Sequence, residues 1–282
     1  MRFTVSSLRH YPAPARIIIF TGILLLLWLP IALPVHVLVG DRNTATILTL
    51  VVLYSEFIWL IQYWGRRVHQ QPRILWHYGL ELSRRIGVEL LAGLGLGAVS
   101  VLTLYGFQSV LGWLEWGEPA VGLWRVILEG LLVALGVGFA EELLFRGWLL
   151  DELQRDYVPT VALWTNAILF ATLHLRLQTF PAYVVLGASL VWAKGSFSEI
   201  RLGEQHDLPK ETRRERLGLP IGLHAGLVWG NYIIEVARLV EPTNRFPGWV
   251  TGIDRNPLAG MVGLLFLAAL AFGLWQFAKR QR

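Results

Sequence analysis

The chain has 282 residues, 54% of them hydrophobic and 16% charged, with a mean hydropathy of +0.50. That balance excludes a soluble globular domain, in which about a quarter of the residues are charged, and it excludes a disordered chain as well. The formal net charge of +5 does not point to nucleic acid, because the basic residues sit in short loops between apolar runs and so mark topology.

Crossing about 30 Å of hydrocarbon takes about 20 apolar residues. By that measure eight spans are expected, at 17–39, 44–64, 86–112, 121–145, 159–176, 180–194, 219–240 and 257–277. The sixth is the shortest. The first run lacks a small-x-small exit site, so it is expected to stay as an anchor. Trp28, Trp59, Trp64, Trp113, Trp116 and Trp275 lie near the ends of these runs, where indole rings suit a membrane–water interface. Most Lys and Arg fall in the N-terminal tail, the 65–85, 146–158 and 195–218 loops and the C-terminal tail. The opposite loops hold five, Arg42, Arg176, Arg238, Arg245 and Arg255. Excess basic charge marks the cytoplasmic side, so both termini are expected there. The fold expected is an all-α polytopic bundle of about eight transmembrane helices, forming one membrane domain over 1–282. The polar 195–218 segment reads as a cytoplasmic loop.

Within the spans, GLGLGA (93–98) has no preceding strand and reads as small-residue helix packing, not a nucleotide loop. Gly130, Ala134 and Gly138 form a similar stripe on the fourth span. It continues in i+4 steps to Glu142 and Arg146.

Ionisable residues at membrane depth are costly and mark functional candidates. The interior set is Glu56, Glu89, Arg125, Glu129, Glu141, Glu142, His174, His224 and Glu235, with Asn166 and Asn231 as neutral additions. Glu142 precedes Arg146 by four residues, the favourable order for a helical ion pair. Glu141 is turned about 100° away from Glu142 and is left available. A charged helix end is the plainer reading of the three. Against it, Asn166, Phe170 and His174 share one face of the fifth span, and His224, Asn231 and Glu235 share one face of the seventh. If the cytoplasmic surface lies near residues 149, 160 and 217, then Glu141, His174 and His224 lie roughly 12, 21 and 11 Å below it. Helix tilt can bring them into one cavity open to the cytoplasm.

A carboxylate beside an imidazole in such a cavity suits activation of water, and a second imidazole suits a developing oxyanion. No serine accompanies the set, and the chain has no cysteine, so direct attack by water fits better than an acyl-enzyme. HExxH and related spacings are absent, so no metal site is assigned and no cofactor is expected. A divalent metal stays open, since His and Glu are zinc ligands.

EELLFR (141–146), FATLH (170–174) and the histidine of GLHAGLVW (222–229) resemble the EExxxR, FxxxH and histidine motifs of a known family. This is the CAAX prenyl protease and bacteriocin-processing (Abi) family of glutamic-type intramembrane proteases, related to the Ras-converting enzyme. The resemblance covers about 125–235, the expected catalytic core. It implies an endopeptidase in which Glu141 and His174 activate water, Glu142 and Arg146 orient the site, and His224 helps hold the oxyanion. It also implies a peptide or membrane-anchored protein as substrate, lipidated in the prenyl-protein members. The family's third motif often reads HxxxN, and here the fourth residue after His224 is Val228. Asn231, three residues further on, lies on nearly the same face as a substitute. The departure raises an alternative, a non-proteolytic scaffold or assembly factor on the same fold. A transporter is a third reading, supported only by the buried charges.

Overall fold

The structure is a computed structural model that describes residues 5–119, 122–195, 215–243, 245–253 and 256–280. A 3-10 turn at Val5–His10 leads into α1 (Ala13–Leu38), followed by α2 (Arg42–Arg67), the short α3 (Ile74–His77) and α4 (Arg84–Val110). After strand β1 (Leu114–Trp116), α5 (Leu123–Glu142) runs without interruption through a π-helical segment, Leu143–Leu149, into α6 (Leu150–Gln154). Then come α7 (Pro159–Leu173), α8 (Phe180–Lys194), α9 (Gly218–Val236), strand β2 (Val240–Pro242), the single turn α10 (Gly248–Thr251) and α11 (Met261–Arg280).

Local chemistry sets several boundaries. Asp41 caps α2 by accepting from the Thr44 amide at 2.7 Å, and Ser83 caps α4 by accepting from the Ile86 amide at 3.3 Å. Proline occupies the first turns of α1, α7 and α8, where its missing N–H costs nothing. Gly195 ends α8 in the left-handed region at φ +79°.

Each of the eight apolar runs coincides with a helix. By length and composition, five helices among the described residues are able to cross a membrane: α1, α2, α4, the continuous 123–154 helix and α11. At 15 residues each, α7 and α8 extend only about 22 Å. The fourth run needs correcting. It was expected to end at 145 and enter a loop at 146, but its helix continues to Gln154 because Asp151 and Glu152 find partners inside the protein. Most of the polar 195–218 segment, and Arg255, lie outside the described residues.

α9 is clamped between α4 and α5. Strands β1 and β2 pair antiparallel, Leu114 opposite Pro242 and Trp116 opposite Val240, which ties the C-terminal ends of α4 and α9 together. The two helices then run parallel and very close. A Cβ on Gly97 would lie 2.4 Å from the Leu223 carbonyl oxygen, and one on Gly222 would lie 2.0 Å from the Leu90 carbonyl oxygen. Only glycine permits that approach. On the other side, Gly138 of α5 meets Ile221 and Ala225, while Gly130 meets the Tyr232 ring. The small-residue stripe on the fourth run therefore faces the helix that carries His224.

A second polar cluster holds α1 to α6. Glu152 is fully buried and accepts from Arg16 Nε at 2.7 Å and from Trp64 Nε1 at 2.9 Å, with His69 Nε2 at 2.6 Å. Beside it Phe20, Phe57, Trp64 and Trp148 pack ring against ring, with Phe20 and Trp148 stacked at 4.2 Å.

Candidate active site

The site is built around the π-helical segment. A π turn lengthens the hydrogen-bonded loop by one residue and leaves carbonyls without their usual α-helical donors. Buried carbonyls need partners, and two arrive from distant side chains. Asn166 of α7 donates from Nδ2 to the Phe145 carbonyl at 2.8 Å, and Lys194 of α8 donates from Nζ to the Arg146 carbonyl at 2.8 Å. Both side chains are buried. α7 and α8 thus pin the widened turn.

Within that turn Glu142 and Arg146 form an ion pair with both side chains fully buried, Nη1 to Oε1 at 3.0 Å. Arg146 Nη2 donates to the Gly187 carbonyl at 3.0 Å, and its guanidinium carbon lies 4.4 Å from the centre of the Phe170 ring. These contacts hold the buried charge, while its Nε has no hydrogen-bond partner among the described residues.

Glu142 Oε1 takes a second donor, His224 Nδ1, at 2.8 Å. A carboxylate only accepts, so the His224 proton sits on Nδ1 and leaves Nε2 as a lone pair in the neutral ring. His174 caps α7 and places its Nδ1 2.8 Å from the Phe170 carbonyl, another pure acceptor. In the neutral ring its Nε2 is therefore also a lone pair. Phe170 lies under both rings, with centroids at 4.6 Å from His174 and 5.9 Å from His224. Tyr183 of α8 stacks on His174 at 4.1 Å with planes 24° apart.

Both lone pairs converge on the remaining carboxylate. Glu141 Oε2 lies 3.8 Å from His174 Nε2 and 3.9 Å from His224 Nε2, and it accepts no hydrogen bond. These separations exceed direct hydrogen bonding, so contact between the three groups would run through a water. The Glu141 side chain is 24% exposed and that of His174 22%, so the face of the cluster opens outward, while Glu142 and Arg146 behind it are sealed.

The structure thus gathers Glu141, Glu142, Arg146, Phe170, His174 and His224. It places Asn231 elsewhere. Seven residues, or about 10 Å, along α9 from His224, its Oδ1 accepts from Tyr105 at 3.0 Å, and the same hydroxyl reaches Glu235 at 3.3 Å. Of the other interior acids, Glu56 has a buried oxygen with no hydrogen-bond partner among the described residues. Glu89 pairs with Arg216 at 2.8 Å, and Arg125 pairs with Glu129 at 2.6 Å on the exposed surface, not inside the bundle. Tyr183, Gly187 and Lys194 had no signal in the sequence as members of the site. Lys194 was only the last residue of the sixth run, and the hydrogen-bonding duty of Gly187 belongs to its carbonyl. Among the described residues no group of three or more His, Asp or Glu is arranged to hold a metal ion.

Residues 123–199, from the start of α5 past the end of α8, match a protein-family model described as type II CAAX prenyl endopeptidase Rce1-like. No curated protein and no solved structure matches the chain. The matched segment contains EELLFR and FATLH, two of the three motifs on which the resemblance was drawn.

Proposed function

We propose, from the likeness of residues 123–199 to the Rce1-like type of CAAX protease, that this chain is an intramembrane endopeptidase using a glutamate-activated water. The observation that carries the reading is the approach of two imidazole Nε2 atoms to one carboxylate oxygen that accepts no hydrogen bond, at 3.8 and 3.9 Å. Water held there would donate one proton towards Glu141 and the other towards His174 Nε2, which leaves its oxygen free to attack a carbonyl. Glu141 takes the proton as the C–O bond forms. His224, backed by Glu142, is placed to receive that proton at Nε2 and then to donate to the oxyanion or the departing amine. Arg146 fixes Glu142, and through it the tautomer and orientation of His224. No step is routed through a metal.

The substrate is a peptide bond near the membrane surface in a membrane-anchored protein, with a lipidated C-terminus as the class that the family suggests. The basic loops argue for a site facing the cytoplasm. The test is incubation of the purified chain in vesicles with anchored peptides, prenylated and unprenylated, with products read by mass spectrometry. A new C-terminus that depends on Glu141 and His174 supports the reading. Cleavage that persists in Glu141→Ala and His174→Ala overturns it.

A further inference from the structure

Addition of water to a carbonyl puts negative charge on the carbonyl oxygen, and catalysis needs a hydrogen-bond donor already aimed at it. The neutral site described above is short of one. Both histidines present lone pairs at Nε2, because their Nδ1 protons are given to Glu142 and to the Phe170 carbonyl. The Asn166 amide donates to the Phe145 carbonyl, and Asn231 lies some two turns away, where its Oδ1 accepts from Tyr105. Arg146 is sealed, with Nη1 on Glu142 and Nη2 on the Gly187 carbonyl. His224 becomes a donor at Nε2 only after it has received a proton, that is, after the attack.

Two donors near the imidazoles have no partner among the described residues, Arg146 Nε and the Tyr183 hydroxyl, and only the tyrosine is partly exposed. Tyr183 is half-buried, its ring stacks on His174 at 4.1 Å, and it contacts Phe170 at 6.1 Å. Its hydroxyl makes no hydrogen bond among the described residues, and it lies within electrostatic range of Glu141 and Arg176. Tyr54 of α2 is also within range of Glu141, but it makes no ring contact with either histidine among the described residues.

We infer that the Tyr183 hydroxyl is the neutral donor for the oxyanion in this site, an assignment that rests on the protease reading above. The ring holds the plane of His174, and the hydroxyl donates to the carbonyl oxygen as it gains charge. Only a hydrogen bond forms there. The proton removed from water goes to Glu141, and the phenol keeps its own.

The test uses the full chain in proteoliposomes and two readouts. One is cleavage kinetics on an anchored peptide, and the other is affinity for a phosphinate analogue of it, whose tetrahedral oxygen stands in for the oxyanion. Tyr183→Phe keeps the stacked ring and removes only the hydroxyl. Expected is a fall in kcat of about 10²–10³-fold, the usual effect of losing one oxyanion donor, with KM within about twofold of wild type. Affinity for the phosphinate falls alongside kcat, and Tyr54→Phe behaves as wild type. Wild-type kcat in Tyr183→Phe overturns the assignment, as does a loss carried by KM, a phosphinate affinity that does not follow kcat, or a loss found in Tyr54→Phe instead. A wild-type protein that neither cleaves nor binds the phosphinate removes the protease reading, and this assignment with it.

Discussion

Replacing Arg146 by methionine should destabilise the fold more than any other single change at the candidate site. Methionine keeps much of the volume, so the loss is of charge and hydrogen bonds, not of packing. Two directed contacts disappear, to Glu142 Oε1 and to the Gly187 carbonyl, each at 3.0 Å. Hydrogen bonds to a charged group contribute about 1.5–3 kcal/mol each, and breaking a buried pair from one side costs about 3–5 kcal/mol. Both routes give the same magnitude, which corresponds to two to four decades in the unfolding equilibrium at about 1.4 kcal/mol per decade. Equilibrium unfolding by SDS in mixed micelles reads it directly. The double variant Glu142→Gln/Arg146→Met should recover part of the loss, because no lone buried charge is left behind. A loss below about 1 kcal/mol for Arg146→Met, or strict additivity of the two single variants, would refute the account of the pair as one coupled unit.

Other consequences follow from neighbouring contacts. Lys194→Met removes the donor to the Arg146 carbonyl and should cost about 1–3 kcal/mol in the same unfolding assay. Gly222→Ala sets a methyl against the Leu90 carbonyl oxygen and should cost about 1–3 kcal/mol. It should also slow cleavage, since His224 lies two residues further along the displaced helix. At the start of α2, hydrogen bonds from the Thr44 side chain and backbone hold the Asp41 carboxyl below its usual range. Its contribution is therefore present above about pH 4 and lost as pH falls below that. Hydrogen exchange at the Thr44 amide should accelerate in that acid window, and unchanged protection would count against the cap. Treatment with a divalent-metal chelator should leave cleavage unaltered, and inhibition relieved by added metal would contradict a mechanism with no metal step.

What the sequence revealed followed the range of the interactions. Glu142 and Arg146 could be paired from helical phase alone, and Gly130 and Gly138 could be assigned to close packing from their four-residue spacing; in GLGLGA, Gly93 and Gly97 pack closely while Gly95 meets nothing within 4 Å. The π turn was hidden. It exists because Asn166 and Lys194, 21 and 48 residues away from the carbonyls they satisfy, come from other helices. The Glu152 cluster was hidden for the same reason, since its partners Arg16, His69 and Trp64 are 136, 83 and 88 residues distant. The 146–158 stretch therefore read as a loop, although internal partners hold its first nine residues in the helix. Asn231 shows the opposite weakness. Sharing a helix face with His224 did not bring it to the same neighbours, because Tyr105 of α4 meets it one level further along.

The claim that Glu141 activates water is tested most directly by Glu141→Gln in proteoliposomes, with cleavage of an anchored peptide measured as an initial rate. The substitution preserves shape and leaves the buried Glu142–Arg146 pair in place, so folding should be retained, while a general base worth about 10²–10⁴-fold is removed. A loss of at least two decades in kcat is expected, with an unchanged unfolding midpoint. A rate within about twofold of wild type would contradict it.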